Sequence, residues 1–150
     1  MELSDERATD KFGRVLGSHL RAGSILGLVG DLGAGKTALT RSIALGAGVP
    51  RTTVVNSPTF TIMNIYDRPR GRLLHLDLYR VADAEELEGI GLPDLLASGA
   101  PLVVEWFDRF PHAFPPDALV IEIGIREGTN RTLRMKAGGP LSAALLSRIS

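Results

Sequence analysis

The sequence predicts an α/β fold, a three-layer sandwich. A mostly parallel sheet carries helices on both faces and ends in an antiparallel C-terminal hairpin. Three observations point there. Residues 24–29, 72–80 and 101–106 are short, largely apolar runs of strand length, the signature of strands buried on both faces. Segments of helical periodicity lie before and between them. Residues 118–123 and 129–136 both read as strands with no helix between them, so they pair as a hairpin across Glu127-Gly128. At 150 residues the chain has the length of one domain with a real core.

In order along the chain, Ser4 is placed to cap a first helix. Asp5 and Glu6 occupy its first turn, as the helix dipole prefers. Ala8, Phe12, Val15, Leu16 and Leu20 follow at helical spacing, and Arg21-Ala22-Gly23 ends the run. The strand at 24–29 leads into Gly30-Asp31-Leu32-Gly33-Ala34-Gly35-Lys36-Thr37, which fits G-x-x-x-x-G-K-[ST], the phosphate-binding P-loop. Its glycines let the backbone curl and bring N–H groups up to an anion. The following helix, 37–47, points its N-terminus at the same anion. Lys36 is placed to reach the β- and γ-phosphates, and the Thr37 hydroxyl to reach Mg²⁺. Strand, glycine loop and helix in that order are the context the motif requires. Gly46-Ala47-Gly48-Val49-Pro50 stops the helix.

Residues 54–60 admit two readings. One is a strand broken by Pro58, which lacks a ladder donor. The other is a switch-like loop whose Ser57 or Thr59 hydroxyl senses the γ-phosphate or Mg²⁺. Residues 61–66 alternate as a strand, and 67–72 read as a turn. The strand at 72–80 delivers Asp77, a carboxylate suited to Mg²⁺ or to capping the next segment. His75 lies on the same strand face, two residues before Asp77. A lone strand histidine carries no catalytic constellation, so a structural role is expected of it. Residues 83–88 form a short acidic helix. Gly89-Ile90-Gly91-Leu92-Pro93 breaks it, and Asp94-Leu95-Leu96-Ala97 forms another. The strand at 101–106 delivers Glu105. Two parallel strands, each ending in an acid, set both beside the phosphates, because ligands bind at the carboxyl ends of such strands. Glu105 is then a candidate to orient the attacking water or to join the metal shell. Trp106 serves packing or the site. Residues 107–116 are an aromatic and proline-rich loop. A last helix follows Gly138-Gly139-Pro140, with Leu141, Leu145, Leu146 and Ile149 on one face.

Composition narrows the function. A formal net charge of zero argues against a nucleic-acid protein working by bulk electrostatics. The absence of cysteine excludes disulfides, thiol nucleophiles and Cys-ligated metals. The acidic start lacks the layout of a signal peptide, and no apolar run approaches the roughly 20 residues that span a bilayer. A cytoplasmic protein with no membrane partner is expected.

The chain resembles the TsaE (formerly YjeE) family, small bacterial P-loop ATPases that support threonylcarbamoyladenosine formation in tRNA. The pieces that carry the resemblance are the loop from Gly30 to Thr37, Ser57-Pro58-Thr59-Phe60-Thr61, His75-Leu76-Asp77-Leu78-Tyr79-Arg80, Glu85-Glu86-Leu87-Glu88 with Gly91, and Val104-Glu105-Trp106. The resemblance implies a P-loop NTPase sandwich with ATP and Mg²⁺ as cofactors. It implies a metal site served by Thr37, Asp77 and Glu105, and catalytic roles for Lys36, Asp77 and Glu105. Its nucleotide-binding set is Asp31, Leu32, Gly33, Ala34, Gly35, Lys36, Thr37 and Ala38, with Ser57 and Thr59 of a switch-like loop and Trp106. Glu6 and Thr9 fall in the stretch that supplies N-terminal contacts. Arg131 stands where the family has the Arg of a Gly-Arg pair, with Asn130 in place of the Gly. The implied partners are TsaB and TsaD, with tRNA reached through their complex, and the implied ATPase is weak alone.

Three rivals have less support. A small-molecule kinase would need an arginine-rich lid, and none is seen. A guanine-nucleotide switch would need an Asn-Lys-x-Asp motif after the second acidic strand, and none occurs. A tRNA-binding module fits poorly with zero net charge and few aromatics.

Overall fold

The apolar runs become one seven-stranded sheet in the order β1-β7-β6-β2-β5-β4-β3. A computed structural model describes residues 1–150. β2 (Ile25–Val29) is central, flanked in parallel by β5 (Leu102–Glu105) and β6 (Leu119–Ile125), and β4 (Gly71–Asp77) extends the parallel set beyond β5. β7 (Arg131–Ala137) pairs antiparallel with β6, which is the expected C-terminal hairpin. The other edge is antiparallel too: β3 (Met63–Arg68) and β4 form a second hairpin. Its strands run on through most of the segment expected to turn, leaving only Pro69 and Arg70 between them. A two-residue strand, β1 (Glu2–Leu3), closes the β7 edge; two residues carry no period to be read from sequence.

Helices cover both faces. α1 (Glu6–Ser18), α2 (Lys36–Gly46) and α5 (Pro140–Ile149) lie on one face, where Phe12, Leu16, Leu39, Ile43, Leu145 and Ile149 share a core with Leu26, Leu28 and Ile121. Burying each such side chain contributes about 1.5–3 kcal/mol. α3 (Ala84–Gly89) and α4 (Leu92–Ala97) cover the other face, where Leu87 and Leu92 pack with Leu76, Val104, Phe107 and Phe114. α4 starts two residues earlier than expected because Pro93 sits in its first turn, where its missing N–H has no helical partner to lose. The loop at 107–116 contains two single 3₁₀ turns, Phe107–Arg109 and Pro111–Ala113.

Two local features differ from the sequence reading. Asp5, not Ser4, caps α1: its carboxylate accepts the Ala8 N–H at 2.8 Å. The chain is still leaving β1 at Ser4, so the cap falls one residue later. The α1–α2 contact depends on glycines: a Cβ on Gly17 would lie 2.0 Å from the Ile43 carbonyl oxygen, and one on Gly46 2.0 Å from that of Arg14. This close approach fixes where α2, and with it the loop at its start, sits over the sheet.

Candidate functional site

The loop from Gly30 to Thr37 joins the end of β2 to the start of α2. Gly33 and Gly35 take left-handed backbone angles, φ 83° and 102°, which a side chain would strain. The first helical bond of α2 runs from the Leu39 N–H to the Gly35 carbonyl at 2.9 Å. The N–H groups of Gly35, Lys36, Thr37 and Ala38 therefore remain free at a positive helix end, a cradle for an anion. Lys36 is only 5% exposed. Its Nζ donates to the carbonyls of Gly30 (2.7 Å) and Asp31 (2.9 Å) and lies 4.0 Å above the Trp106 ring. Burial lowers its pKa from the ordinary lysine value, while the charges of Glu105 and Asp77 pull it back up.

The parallel register sets Asp77 of β4 directly beside Glu105 of β5, and Glu105 beside Leu28 of β2, at the strand ends next to this loop. Both carboxylates are buried, 4% and 2% exposed. The Thr37 hydroxyl donates to Glu105 Oε1 at 2.8 Å. Asp77 accepts the Ser57 hydroxyl and, at 2.9 Å, the Tyr79 N–H. The segment before β3 is an irregular loop and not a broken strand. It is tied down by Arg41, whose Nε donates to the Val55 carbonyl at 2.8 Å, and by Asn64, whose amide donates to the Asn56 carbonyl at 3.1 Å. Two residues flanking the carboxylates are non-glycines with left-handed backbones, Ile62 (φ 69°) and Trp106 (φ 57°). Each costs of order 1–3 kcal/mol, strain of a kind that gathers at binding sites.

Lys36, Thr37, Ser57, Thr59, Asp77, Glu105 and Trp106 thus line one cleft of about 420 Å³, together with Leu32 and Gly33. Glu6, Thr9 and Arg131 are not in it. They line a second cleft of about 520 Å³ across the loop, with Ala34; Gly35 and Ala38 face both. Arg131 reaches the loop directly, its Nε donating to the Ala34 carbonyl at 2.8 Å. Asp31 lines neither of these clefts and is exposed, turning its carbonyl to Lys36.

No group of three or more His, Cys, Asp or Glu side chains is arranged to hold a metal. One or two carboxylates with a hydroxyl suit Mg²⁺, a hard cation that keeps waters and shares phosphate oxygens. Thr37, Asp77 and Glu105 offer that donor set beside the anion cradle.

His75 has more partners than its sequence context suggests. It is fully buried; its Nε2 lies 2.5 Å from Glu105 Oε2 and its Nδ1 2.8 Å from the Tyr66 hydroxyl. Tyr66 and Asn64 carry no sequence motif. Their signal is the β3–β4 register, which sets Asn64 opposite His75 and Tyr66 on the same face two residues along. Tyr79 and Arg80 also line the first cleft, with the Tyr79 ring 4.8 Å from that of Trp106.

Comparison with known proteins shows the family and the fold. Residues 3–133 match the family model described as threonylcarbamoyl adenosine biosynthesis protein TsaE. The chain is 35% identical to the tRNA threonylcarbamoyladenosine biosynthesis protein TsaE of Aquifex aeolicus, over 89% of this chain and 92% of that one. It is 34% identical to the protein of the same name from Bacillus subtilis, over 95% and 87%. The crystal structure of Bacillus subtilis YdiB superposes with a TM-score of 0.81 at 26% identity, covering 99% of this chain and 91% of that one. The chain belongs to the TsaE family.

Proposed function

We propose that the chain is a Mg²⁺-dependent ATPase, built as a single P-loop domain, that serves threonylcarbamoyladenosine formation in tRNA by acting on a TsaB–TsaD complex in the cytoplasm. One observation carries the ATPase reading. The register of β4 and β5 sets Asp77 and Glu105 side by side at the mouth of the loop that frees four N–H groups toward an anion. In this reading the loop N–H groups and Lys36 hold the ATP phosphates. Thr37, Asp77 and Glu105 hold Mg²⁺, which neutralises charge on the phosphoryl oxygens when bound. Glu105 also orients the attacking water. Ser57, tied to Asp77, and Thr59, whose hydroxyl donates to that of Ser57 at 3.5 Å, respond to the γ-phosphate. Glu6, Thr9 and Arg131 hold the nucleoside side across the loop.

The tRNA-modification role rests on family membership, and the partner reading is supported by the surface around the cleft. Leu32 on the cleft wall is 74% exposed, and Phe60, against Arg80 of that wall, is 83% exposed. A partner seated on this wall would cover both side chains. The test of the reaction class is release of free phosphate by the full chain from ATP and from GTP, with and without Mg²⁺. The reading requires Mg²⁺-dependent phosphate release from ATP with no added acceptor. ADP formation only when a small hydroxylated acceptor is supplied, with the phosphate found on it, would make the protein a kinase instead.

A further inference from the structure

We propose that His75, oriented by Tyr66, is a positioning residue that fixes the Glu105 carboxylate for hydrolysis. The inference rests on the reading that Glu105 serves the reaction. Strand periodicity brings the parts together. His75 pairs with Val103 and Asp77 with Glu105, so His75 and Glu105 are diagonal neighbours on one sheet face, and Asn64 and Tyr66 of β3 lie on that face beside them.

The bonds between them have one consistent direction. A carboxylate only accepts, so His75 Nε2 carries the proton and donates to Glu105 Oε2. Nδ1 then accepts from the Tyr66 hydroxyl, whose oxygen accepts the Asn64 amide at 3.4 Å. With Oε2 committed to His75, Oε1 is the oxygen left to the phosphate loop, where it meets the Thr37 hydroxyl.

Any buried histidine must satisfy both ring nitrogens; what sets this one apart is that Nε2 is given to the acid beside the loop. Without His75 the carboxylate can turn about its last bond. Displacing a reacting group by about 1 Å costs on the order of 10²-fold in rate.

The test separates turnover from binding in the full chain with Mg²⁺ and ATP. His75→Asn keeps an amide near the Nδ1 position and cannot reach Glu105. His75→Gln carries an amide nitrogen near the Nε2 position. Tyr66→Phe removes only the hydroxyl. His75→Asn is expected to lower kcat by about 10- to 100-fold with the ATP Kd within about twofold of the parent. His75→Gln should recover at least about half of that loss on a logarithmic scale, and Tyr66→Phe should lower kcat by about 2- to 10-fold. Unchanged kcat in His75→Asn, equal loss in Asn and Gln variants, or a parallel loss of ATP binding each overturns the proposal. Should the His75 variants not fold, Tyr66→Phe decides, and full turnover there overturns it. Glu105→Gln in the same series separates the two levels. If it keeps full turnover, the functional reading fails and takes the inference with it. If it loses turnover while His75→Asn keeps it, only the inference fails.

Discussion

The two clefts that share the glycine loop are built differently. On the side of Asp77 and Glu105, side chain answers side chain. Thr37 and His75 share Glu105, Ser57 binds Asp77, and Lys36 is held by two carbonyls over the Trp106 ring. Lys36 and the two carboxylates are nearly inaccessible. On the side of Glu6, Thr9 and Arg131, Glu6 is exposed, and the connection to the loop runs through Arg131 and the Ala34 carbonyl. Chemistry that depends on fractions of an ångström needs the first kind of construction, because each group's rotamer is locked by its neighbour. Holding a nucleoside tolerates the second.

Substitutions on the tighter side should cost more than those on the looser side. Lys36→Ala removes the one charge aimed along the loop and should abolish measurable nucleotide binding, as read by titration with a fluorescent ATP analogue. Binding within about tenfold of the parent would mean that the free N–H groups suffice without it. Glu105→Ala should keep nucleotide binding while phosphate release falls by about 10²- to 10³-fold, the range for removing a preorganised group at a reacting centre. Arg131→Ala, on the looser side, should weaken ATP binding by only about 2- to 10-fold and leave turnover at saturation unchanged, consistent with about 0.5–1.5 kcal/mol for one hydrogen bond. A fall in saturated turnover would show that the two sides are not separable.

The smallest effect lies outside both clefts. Asp117 caps α5 across the chain, accepting the Leu141 N–H at 2.8 Å, the Ser142 N–H at 2.9 Å and the Ser142 hydroxyl at 2.5 Å. The Ser142 hydroxyl first, then the backbone N–H groups, hold its carboxyl below the ordinary value of 3.8. A depressed carboxyl adds stability above its unfolded pKa and loses it as pH falls through the folded one. Asp117→Asn should therefore lower Tm at pH 7, less so as pH drops through the carboxylate range, with ATP binding untouched at neutral pH. A Tm deficit independent of pH would assign the effect to packing.

Sequence reasoning reached the parts whose signal is local. The strand, glycine loop and helix around Lys36 are contiguous, and burial on both faces leaves β4 and β5 as continuous apolar runs whose last residues are Asp77 and Glu105. The C-terminal hairpin was legible for the same reason. The β3–β4 hairpin follows the rule that joins β6 to β7, two strands with no helix between them. The His75 cluster has no local signal, because Asn64 and Tyr66 meet His75 only through the hairpin register. The Gly17 and Gly46 contacts between α1 and α2 arise only once the helices cross, so no local pattern announces them. Glu6, Thr9 and Arg131 come from opposite ends of the chain and share a cleft only because α1 and the start of β7 both border the loop.

The most direct measurement is ATP hydrolysis by the purified chain alone and again with the TsaB–TsaD pair, each with and without Mg²⁺. Slow hydrolysis alone and strong Mg²⁺-dependent stimulation by the pair are expected. Brisk hydrolysis alone that the pair leaves unchanged would contradict this expectation and mark an independent enzyme.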